Sequence, residues 1–224
     1  MSRSLLALAL LVLAAYTLSF AFADLLTVGP RDRLATWARN NPESVAAQAG
    51  RDLQSLELAH GLRPWDADLA ADLGRMSEWI TRDGTPWSME SSPWRRQAIG
   101  YYQTALRLRP GWAFAWAHLA QARLLIGFPL EEILAPLDKA MVLGPAEPGV
   151  QRKVLWVGFS LWARLNEDLR ARLATVLFQT LEHQAPSAIG MAVHFNREAL
   201  IRDALQREAD RAMLERLLAA RERH

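Results

Sequence analysis

Residues 98–120, AIGYYQTALRLRPGWAFAWAHLA, contain two apolar helix faces joined by a proline turn. Ala98, Tyr102 and Ala105 are spaced as on one side of an α-helix, and Pro110 stops that helix because proline has no N–H group to donate. The second face follows the turn and consists of Trp116, Leu119 and Ala120. The stretch therefore predicts the second helix of one helical pair and the first helix of the next.

The same turn recurs along the chain, which indicates a repeat. The unit Ala-x-x-Leu-x-Pro begins at Ala59, Ala105 and Ala140, so the first two copies are 46 residues apart and the last two 35. This pattern resembles the tetratricopeptide repeat, a helix pair with a period of about 34 residues. The resemblance covers residues 44–164. It implies an all-α fold, a right-handed solenoid of helix pairs with a concave surface that binds protein segments.

Ten residues occupy the packing positions that this resemblance implies. Small side chains let paired helices approach each other, and large ones fill the space between repeats. These residues are Leu73, Gly74, Ala98, Tyr102, Ala105, Trp116, Leu119, Ala120, Leu137 and Ala140.

The predicted domain organisation has three parts. Residues 1–23 form a membrane anchor or signal peptide, residues 24–186 a helical repeat domain with an inserted loop at 81–93, and residues 187–224 a long C-terminal capping helix. Gly29 and Pro30 are predicted to separate the hydrophobic segment from a short helix. Asn166 is the predicted N-cap of a later helix, which Pro186 is predicted to end.

The N-terminal segment predicts export to the bacterial cell envelope. Arg3 precedes an apolar run that extends to residue 23, which as a helix rising about 1.5 Å per residue is long enough to span a bilayer. Ala21-Phe22-Ala23 before Asp24 also fits a signal-peptide cleavage site. The repeat domain is therefore expected in the periplasm, either anchored to the inner membrane or released by cleavage.

The composition argues against several functions. The 224 residues have a net charge of +2 and no basic stripe or RNA-binding motif, so no nucleic-acid partner is predicted. The chain has no cysteine, which excludes disulfides, thiolate catalysis and cysteine metal sites.

No catalytic, metal-binding or cofactor-binding motif is recognised in the sequence. Gly158-Phe159-Ser160 lacks the second glycine of a nucleophile elbow. The five histidines are scattered and form no ligand set. The predictions are therefore a protein that is not an enzyme, with no cofactor and no metal.

Nine tryptophans are the remaining candidates for ligand contacts. Trp156 and Trp162 lie in an apolar segment and are predicted to be core residues. Exposed tryptophans can stack on sugar rings or anchor a protein partner. The candidates for such contacts lie at turns or beside the insert, and they are Trp65, Trp87, Trp94 and Trp112.

A narrower resemblance concerns the region before and within the repeats. The export segment, the Leu34-x-x-Trp37 helix, the insert ending Ser91-Ser92-Pro93-Trp94 and the run AIGYYQTAL at residues 98–106 are similar to the VpsP-type proteins of bacterial exopolysaccharide biosynthesis. This family is implied to assist polymer assembly or export without catalysing a known step.

The leading hypothesis is an envelope-anchored adaptor that holds the protein components of an exopolysaccharide assembly or export complex. The alternatives are a periplasmic module that binds polysaccharide through its tryptophans and a general scaffold for envelope assembly. A polysaccharide hydrolase or lyase is a further alternative that no motif supports.

Overall fold

The computed structural model describes residues 3–40, 42–82 and 88–221, and in this part of the chain the regular secondary structure is helical, without a strand. The all-α prediction is confirmed. The α-helices of the described ranges are α1 (Arg3–Asn40), α2 (Ala46–Leu62), α3 (Ala67–Ile80), α4 (Ser92–Leu108), α5 (Ala113–Leu125), α6 (Leu130–Leu143), α7 (Pro148–Ser160), α8 (Glu167–His194) and α9 (Glu208–Arg221).

The helices belong to two compact units. The first comprises residues 1–110 and 125–127, and therefore holds α1 to α4. The second comprises residues 111–124 and 128–224, and holds α5 to α9 except the last residue of α5. The predicted domain boundaries at 23/24 and 186/187 both fall inside a helix, α1 and α8 respectively.

In the first unit, α1 combines an exposed apolar half with a half that belongs to the core. From Leu5 to Phe22 the side chains are mostly exposed, whereas Ala23, Leu34 and Trp37 are buried together with core residues of α2 and α3. Because α1 packs on α2 and α3, and α3 packs on α4, the unit is built from helices that contact their sequence neighbours.

Charged pairs fix the second half of α1 to the next two helices. Arg33 binds the buried carboxylate of Asp52 on α2 through two N–H groups, and Arg31 donates to Asp72 on α3 at 2.7 Å. Burial raises the pKa of Asp72, and the hydrogen bond from Arg31 opposes that shift. Removing one partner of such a pair would leave a charge without its counter-ion in a largely buried site.

The predicted break at Gly29 and Pro30 is wrong, because α1 continues through both residues to Asn40. Pro30 cannot donate to the carbonyl of Leu26, which costs the helix one backbone hydrogen bond. Buried side chains on either side of Pro30, the Asp24 ion pair before it and the Arg31 and Arg33 ion pairs after it hold the helix together, so tertiary contacts override a local helix breaker.

A glycine allows α3 and α4 to approach each other closely. Tyr102 on α4 is completely buried, and a methyl group on Gly74 of α3 would lie 2.7 Å from its ring. Only a residue without a side chain fits there, since van der Waals contact between carbon atoms requires about 3.5–4.0 Å. The Gly74 and Tyr102 pair therefore sets the spacing of this helix pair.

In the second unit, α5 and α6 each contact both the next helix and the one after it. α6 packs on α7 and α7 on α8. Lys153 on α7 donates to Gln121 on α5, and Arg172 on α8 pairs with Asp138 on α6 at 2.5 Å. Gly158 on α7 allows the same close approach as Gly74, because a methyl group there would lie 2.5 Å from Leu173 on α8.

The helical geometry of α8 breaks close to its predicted end at Pro186. Asn166 caps the helix as predicted, by accepting from the Leu169 N–H at 2.9 Å. The first helical stretch ends at a kink at Gln184, whose backbone is non-helical, two residues before Pro186, and a second stretch follows to His194. Pro186 fits because it lies in the first turn after the kink, where its missing N–H group has no helical partner to lose.

The predicted long C-terminal helix is wrong as well. Asn196, with a left-handed φ of 54°, ends α8, and 3-10 turns at Glu198–Leu200 and Arg202–Ala204 precede the 14-residue α9. Ile201 and Leu205 are buried within this irregular segment, so their four-residue spacing reflects packing of turns and not one helix face.

We expect Gly74→Ala to destabilise the fold by about 1–3 kcal/mol, because the added methyl group overlaps the buried Tyr102 ring. Gly100→Ala on α4 is the matched control. Its methyl group meets no atom within 4 Å, so the helix should gain about 0.5–1 kcal/mol from the better helix former. Urea unfolding of the full chain in mild detergent, followed by circular dichroism, measures both. Equal stability of the two variants would contradict the packing role of Gly74.

Candidate functional site

An open cleft of about 460 Å³ lies between α2 and α4 in the first unit. Its walls combine apolar, amide and carboxylate groups. The residues that line it are Gly50, Leu53, Gln54 and Glu57 on α2 and Pro93, Trp94 and Gln97 on α4.

Trp94 stands at the α4 end of the insert, where the local sequence fixes its position. Ser88 accepts the N–H groups of Ser91, through its hydroxyl oxygen at 3.2 Å, and of Ser92, through its carbonyl oxygen at 3.1 Å. Pro93 occupies the first turn of α4, where proline is favoured. The indole of Trp94 follows directly and is 36% exposed, which leaves part of the ring accessible from the cleft.

A hydrogen-bond network lies beside Trp94. Tyr101 donates its hydroxyl proton to Glu57 Oε1 at 2.8 Å, and Gln97 Nε2 donates to the same oxygen at 3.0 Å. Burial, followed by the bond to Glu57, raises the pKa of Tyr101 to about 12. The hydroxyl therefore remains a proton donor throughout the physiological range.

This arrangement suits binding of a polar ligand. An exposed indole face, a carboxylate and two glutamine amides are groups that hold hydroxyl-rich rings or an extended peptide. Glu57 is the one ionisable group in the cleft lining, whereas glycosidases use a pair of carboxyl groups. Within the described ranges, no three His, Asp or Glu side chains are grouped so that they could hold a metal ion.

The four candidate tryptophans occupy different surroundings. Trp94 lies in the α2–α4 cleft, and Trp65, which is 54% exposed, lies against Phe20 of α1. Trp112 belongs to the second unit, where it is half-buried and stacks on Phe114 with ring centres 5.6 Å apart. Trp87 lies outside the described residues.

The ten packing positions lie mostly in the interior. Trp116 is half-buried against the core of the second unit. The other nine, which are Leu73, Gly74, Ala98, Tyr102, Ala105, Leu119, Ala120, Leu137 and Ala140, are buried.

Two predicted core residues are less buried than expected. Trp156 and Trp162 are both half-buried at the margin of the second core. The guanidinium groups of Arg170 and Arg197 lie over the Trp162 ring, 5.8 and 5.5 Å from its centre. The Trp162 ring therefore contacts arginine side chains as well as apolar groups. Its apolar sequence neighbours did not predict the arginine contacts.

Gly158, Ser160 and His118 make packing contacts and hydrogen bonds within and between the helices. Gly158 provides the close contact between α7 and α8, and the Ser160 hydroxyl donates to the Trp156 carbonyl at 2.7 Å. His118 is buried, with its ring centre 4.2 Å from that of Phe114. Burial lowers the pKa of His60, so this histidine stays neutral at physiological pH.

Sequence reasoning missed Glu57, Gln97 and Tyr101 as members of one site. The copies of the repeat that begin at Ala59 and Ala105 aligned α2 with α4 and so indicated that these are equivalent helices. The alignment does not give their relative rotation, which decides which side chains meet across the cleft.

No protein-family model matches the chain, and no curated protein matches its sequence. The two resemblances described above therefore depend on the quoted residues alone.

We expect Tyr101→Phe to change the pH dependence of stability. The pKa of Tyr101 is about 12 in the folded chain against 10.0 ordinarily, so its stabilising contribution is complete below pH 10 and is lost as the pH rises toward 12. Tyr101→Phe should cost about 0.5–1.5 kcal/mol at pH 8, the value of one hydrogen bond. The stability difference between the two proteins should then shrink between pH 10 and 12. Parallel stability curves, measured by urea unfolding, would contradict this.

Proposed function

We propose that the chain is a non-enzymatic adaptor of the bacterial envelope, anchored by α1 and built as a TPR-like right-handed array of helix pairs. In this proposal it holds the protein components of an exopolysaccharide assembly or export complex. The observation that carries the proposal is the continuity of α1, which extends without interruption from an exposed apolar segment into the core of the first unit.

The exposed half of α1 supports the anchor. Within the described ranges, α1 is the helix that is long and apolar enough to cross a membrane, and the most apolar part of it is not buried by the protein. Eighteen residues from Leu5 to Phe22 span about 27 Å at the helical rise of about 1.5 Å per residue, close to the bilayer core thickness of about 30 Å. Exposed apolar side chains on this scale need a lipid or protein environment.

The packing around residue 23 favours an anchor that is not cleaved. Ala23 is completely buried with Leu34 and Trp37, and its peptide bond to Asp24 lies in the middle of α1. Proteases cleave exposed, locally unfolded segments, so the folded helix protects this bond. Cleavage there before folding would also remove Ala23 from the core.

Helix contacts support the repeat array. In the first unit α1 contacts α2 and α3, and α2 also reaches α4 through Glu57 and Gln97. In the second unit, α5 contacts α7 and α6 contacts both α7 and α8. Stacked helix pairs produce this pattern. The close contacts at Gly74 and Gly158 supply the small residues that such pairs require.

The assignment to exopolysaccharide assembly or export is based on the VpsP-type resemblance. The structure adds that Trp37, which belongs to that resemblance, packs against Trp79 with ring centres 5.4 Å apart. Trp94 at the end of the insert reaches the α2–α4 cleft. The proposal makes this cleft the surface on which a protein component docks.

A second candidate function, binding of the polysaccharide itself, is favoured by the composition of the cleft. The Trp94 ring offers an apolar face for a sugar ring, and Glu57 with Gln97 offers hydrogen-bonding groups beside it. In this candidate the chain would hold the growing polymer instead of a protein.

We expect the chain purified from membranes to retain residues 1–23 and to have the full mass of 25.2 kDa. Arginines flank the apolar segment on both sides, with Arg3 before it and Arg31 and Arg33 after it. Positive charge therefore does not distinguish the two orientations of α1 in the membrane, and the orientation has to be measured with fusion proteins. Alkaline phosphatase fused after His224 should be active, and green fluorescent protein fused there through the general secretory route should not fluoresce. A soluble chain beginning at Asp24 would contradict the anchor, and the reverse fusion result would contradict the periplasmic location.

We expect Trp94→Ala to weaken ligand capture without unfolding the chain. Tagged protein would be solubilised in mild detergent from cells that make extracellular polymer, and the proteins that co-purify would be identified. Leu58→Ala, which removes an exposed apolar side chain of α2 outside the cleft lining, is the matched control. Loss of polysaccharide assembly proteins with Trp94→Ala alone supports the adaptor.

Polymer binding separates the second candidate from the first. If the purified wild-type protein binds the polymer directly and Trp94→Ala weakens this binding about tenfold, the equivalent of about 1.4 kcal/mol, the glycan-binding function is supported. Unchanged protein capture and unchanged polymer binding by Trp94→Ala would contradict both functions of the cleft.

A further inference from the structure

The loop between α2 and α3 folds back onto the apolar half of α1. The Arg63 guanidinium lies 5.6 Å from the centre of the Phe20 ring, and the Trp65 ring centre is 6.1 Å from the same ring. Arg63 also forms ion pairs with Asp24 on α1 and with Asp66 at the start of α3. These contacts fix the loop beside the last turn of the exposed apolar segment.

The position of Phe20 gives the depth of this loop. Asp24 is the first charged residue after Arg3, so the apolar segment ends there. Phe20 precedes Asp24 by four residues, or about 6 Å along the helix axis. If α1 spans a bilayer, the residues beside Phe20 therefore lie where the hydrocarbon meets the headgroups.

The side chains at this level are of the kinds that bilayer interfaces favour. Trp65 is 54% exposed in the protein alone, although its indole is one of the largest apolar groups of the chain. Tyr16, one helical turn further into the apolar segment, packs edge-on against Phe20 with ring centres 4.6 Å apart. Tryptophan and tyrosine are enriched at membrane interfaces because one part of each ring is apolar and the other donates a hydrogen bond.

We propose that Trp65 inserts into the interfacial layer of the same bilayer that α1 spans, so that the first unit is attached to the membrane at two points. The proposal rests on the anchoring role of α1 proposed above. Arg63 acts as the link that ties the loop to Asp24, while Trp65 makes the lipid contact. Trp65 is thereby assigned to lipid and not to a protein partner or glycan.

The absence of cysteine allows a direct measurement of depth. Single cysteines carrying a nitroxide label would be introduced into the full chain, reconstituted in phosphatidylcholine and phosphatidylglycerol vesicles. Trp65→Cys tests the loop, and Leu13→Cys reports on the middle of the apolar segment. Arg96→Cys, exposed near the start of α4, is the matched control in water. Accessibility to oxygen and to a water-soluble nickel complex gives the depth of each label.

We expect the Leu13 label to exclude nickel and the Arg96 label to be fully accessible. The Trp65 label should fall between them, with a nickel accessibility several-fold below that at Arg96. Pro64→Cys keeps the tryptophan and provides a second label in the same loop, with the same expected result. Circular dichroism establishes that each labelled chain is folded.

The opposite outcomes are distinct. Equal nickel accessibility at positions 65, 64 and 96, with a protected Leu13 label, would overturn the interfacial role of Trp65 while leaving the anchor intact. A further label, Leu25→Cys, lies on an exposed face of α1, and lipid protection there together with full nickel access at Trp65 would also overturn the interfacial role of Trp65. Nickel access to the Leu13 label would contradict the anchor itself.

Discussion

The packing of the second half of α1 against α2 and α3 is the constraint on which the first unit depends. Leu34 and Trp37 bury apolar surface between α1 and its neighbours. The Arg31 and Arg33 ion pairs fix the rotation of α1 about its axis and its position along that axis. Burying the carboxylates of Asp52 and Asp72 is unfavourable unless each keeps its arginine partner. If α1 were shifted along α2 and α3, both carboxylates would lose their partners, so the ion pairs select one position of α1. The α2–α4 cleft and the loop at Arg63 both take their positions from this packing.

In both units, a glycine on one helix contacts a large side chain on the next helix. In the first, Gly74 receives the ring of Tyr102, and in the second, Gly158 receives the branched side chain of Leu173. In both cases the absence of a side chain on one helix creates the space that a large side chain on the next one fills. Dense packing of this kind tolerates little change in volume, which explains why the repeat signal in the sequence lies in a few small and large positions.

The sequence predicted the helices well because their apolar spacing and caps are local signals. Asn166 and the Gly74 and Tyr102 pair are examples in which the residue type has a direct geometric meaning. The prediction at Pro30 was wrong because this proline was interpreted as a helix end from local propensity alone, whereas the break predicted at Pro186 occurs two residues earlier, at Gln184. Buried contacts on either side of Pro30 let α1 continue through it. The cleft residues were missed because their meeting depends on how α2 and α4 are rotated, which no local pattern specifies.

The uninterrupted α1 has a consequence for association in the plane of the membrane. A domain on a flexible tether samples many orientations and heights, and a partner that binds it must select one of them. In a chain anchored as proposed, α1 is a stiff helix, and the Arg33 ion pair fixes its second half to the core of the first unit. This attachment restricts the orientations and heights of the unit before it meets a partner. A partner in the same bilayer would then lose less rotational entropy on docking, so even a small contact area could produce useful affinity.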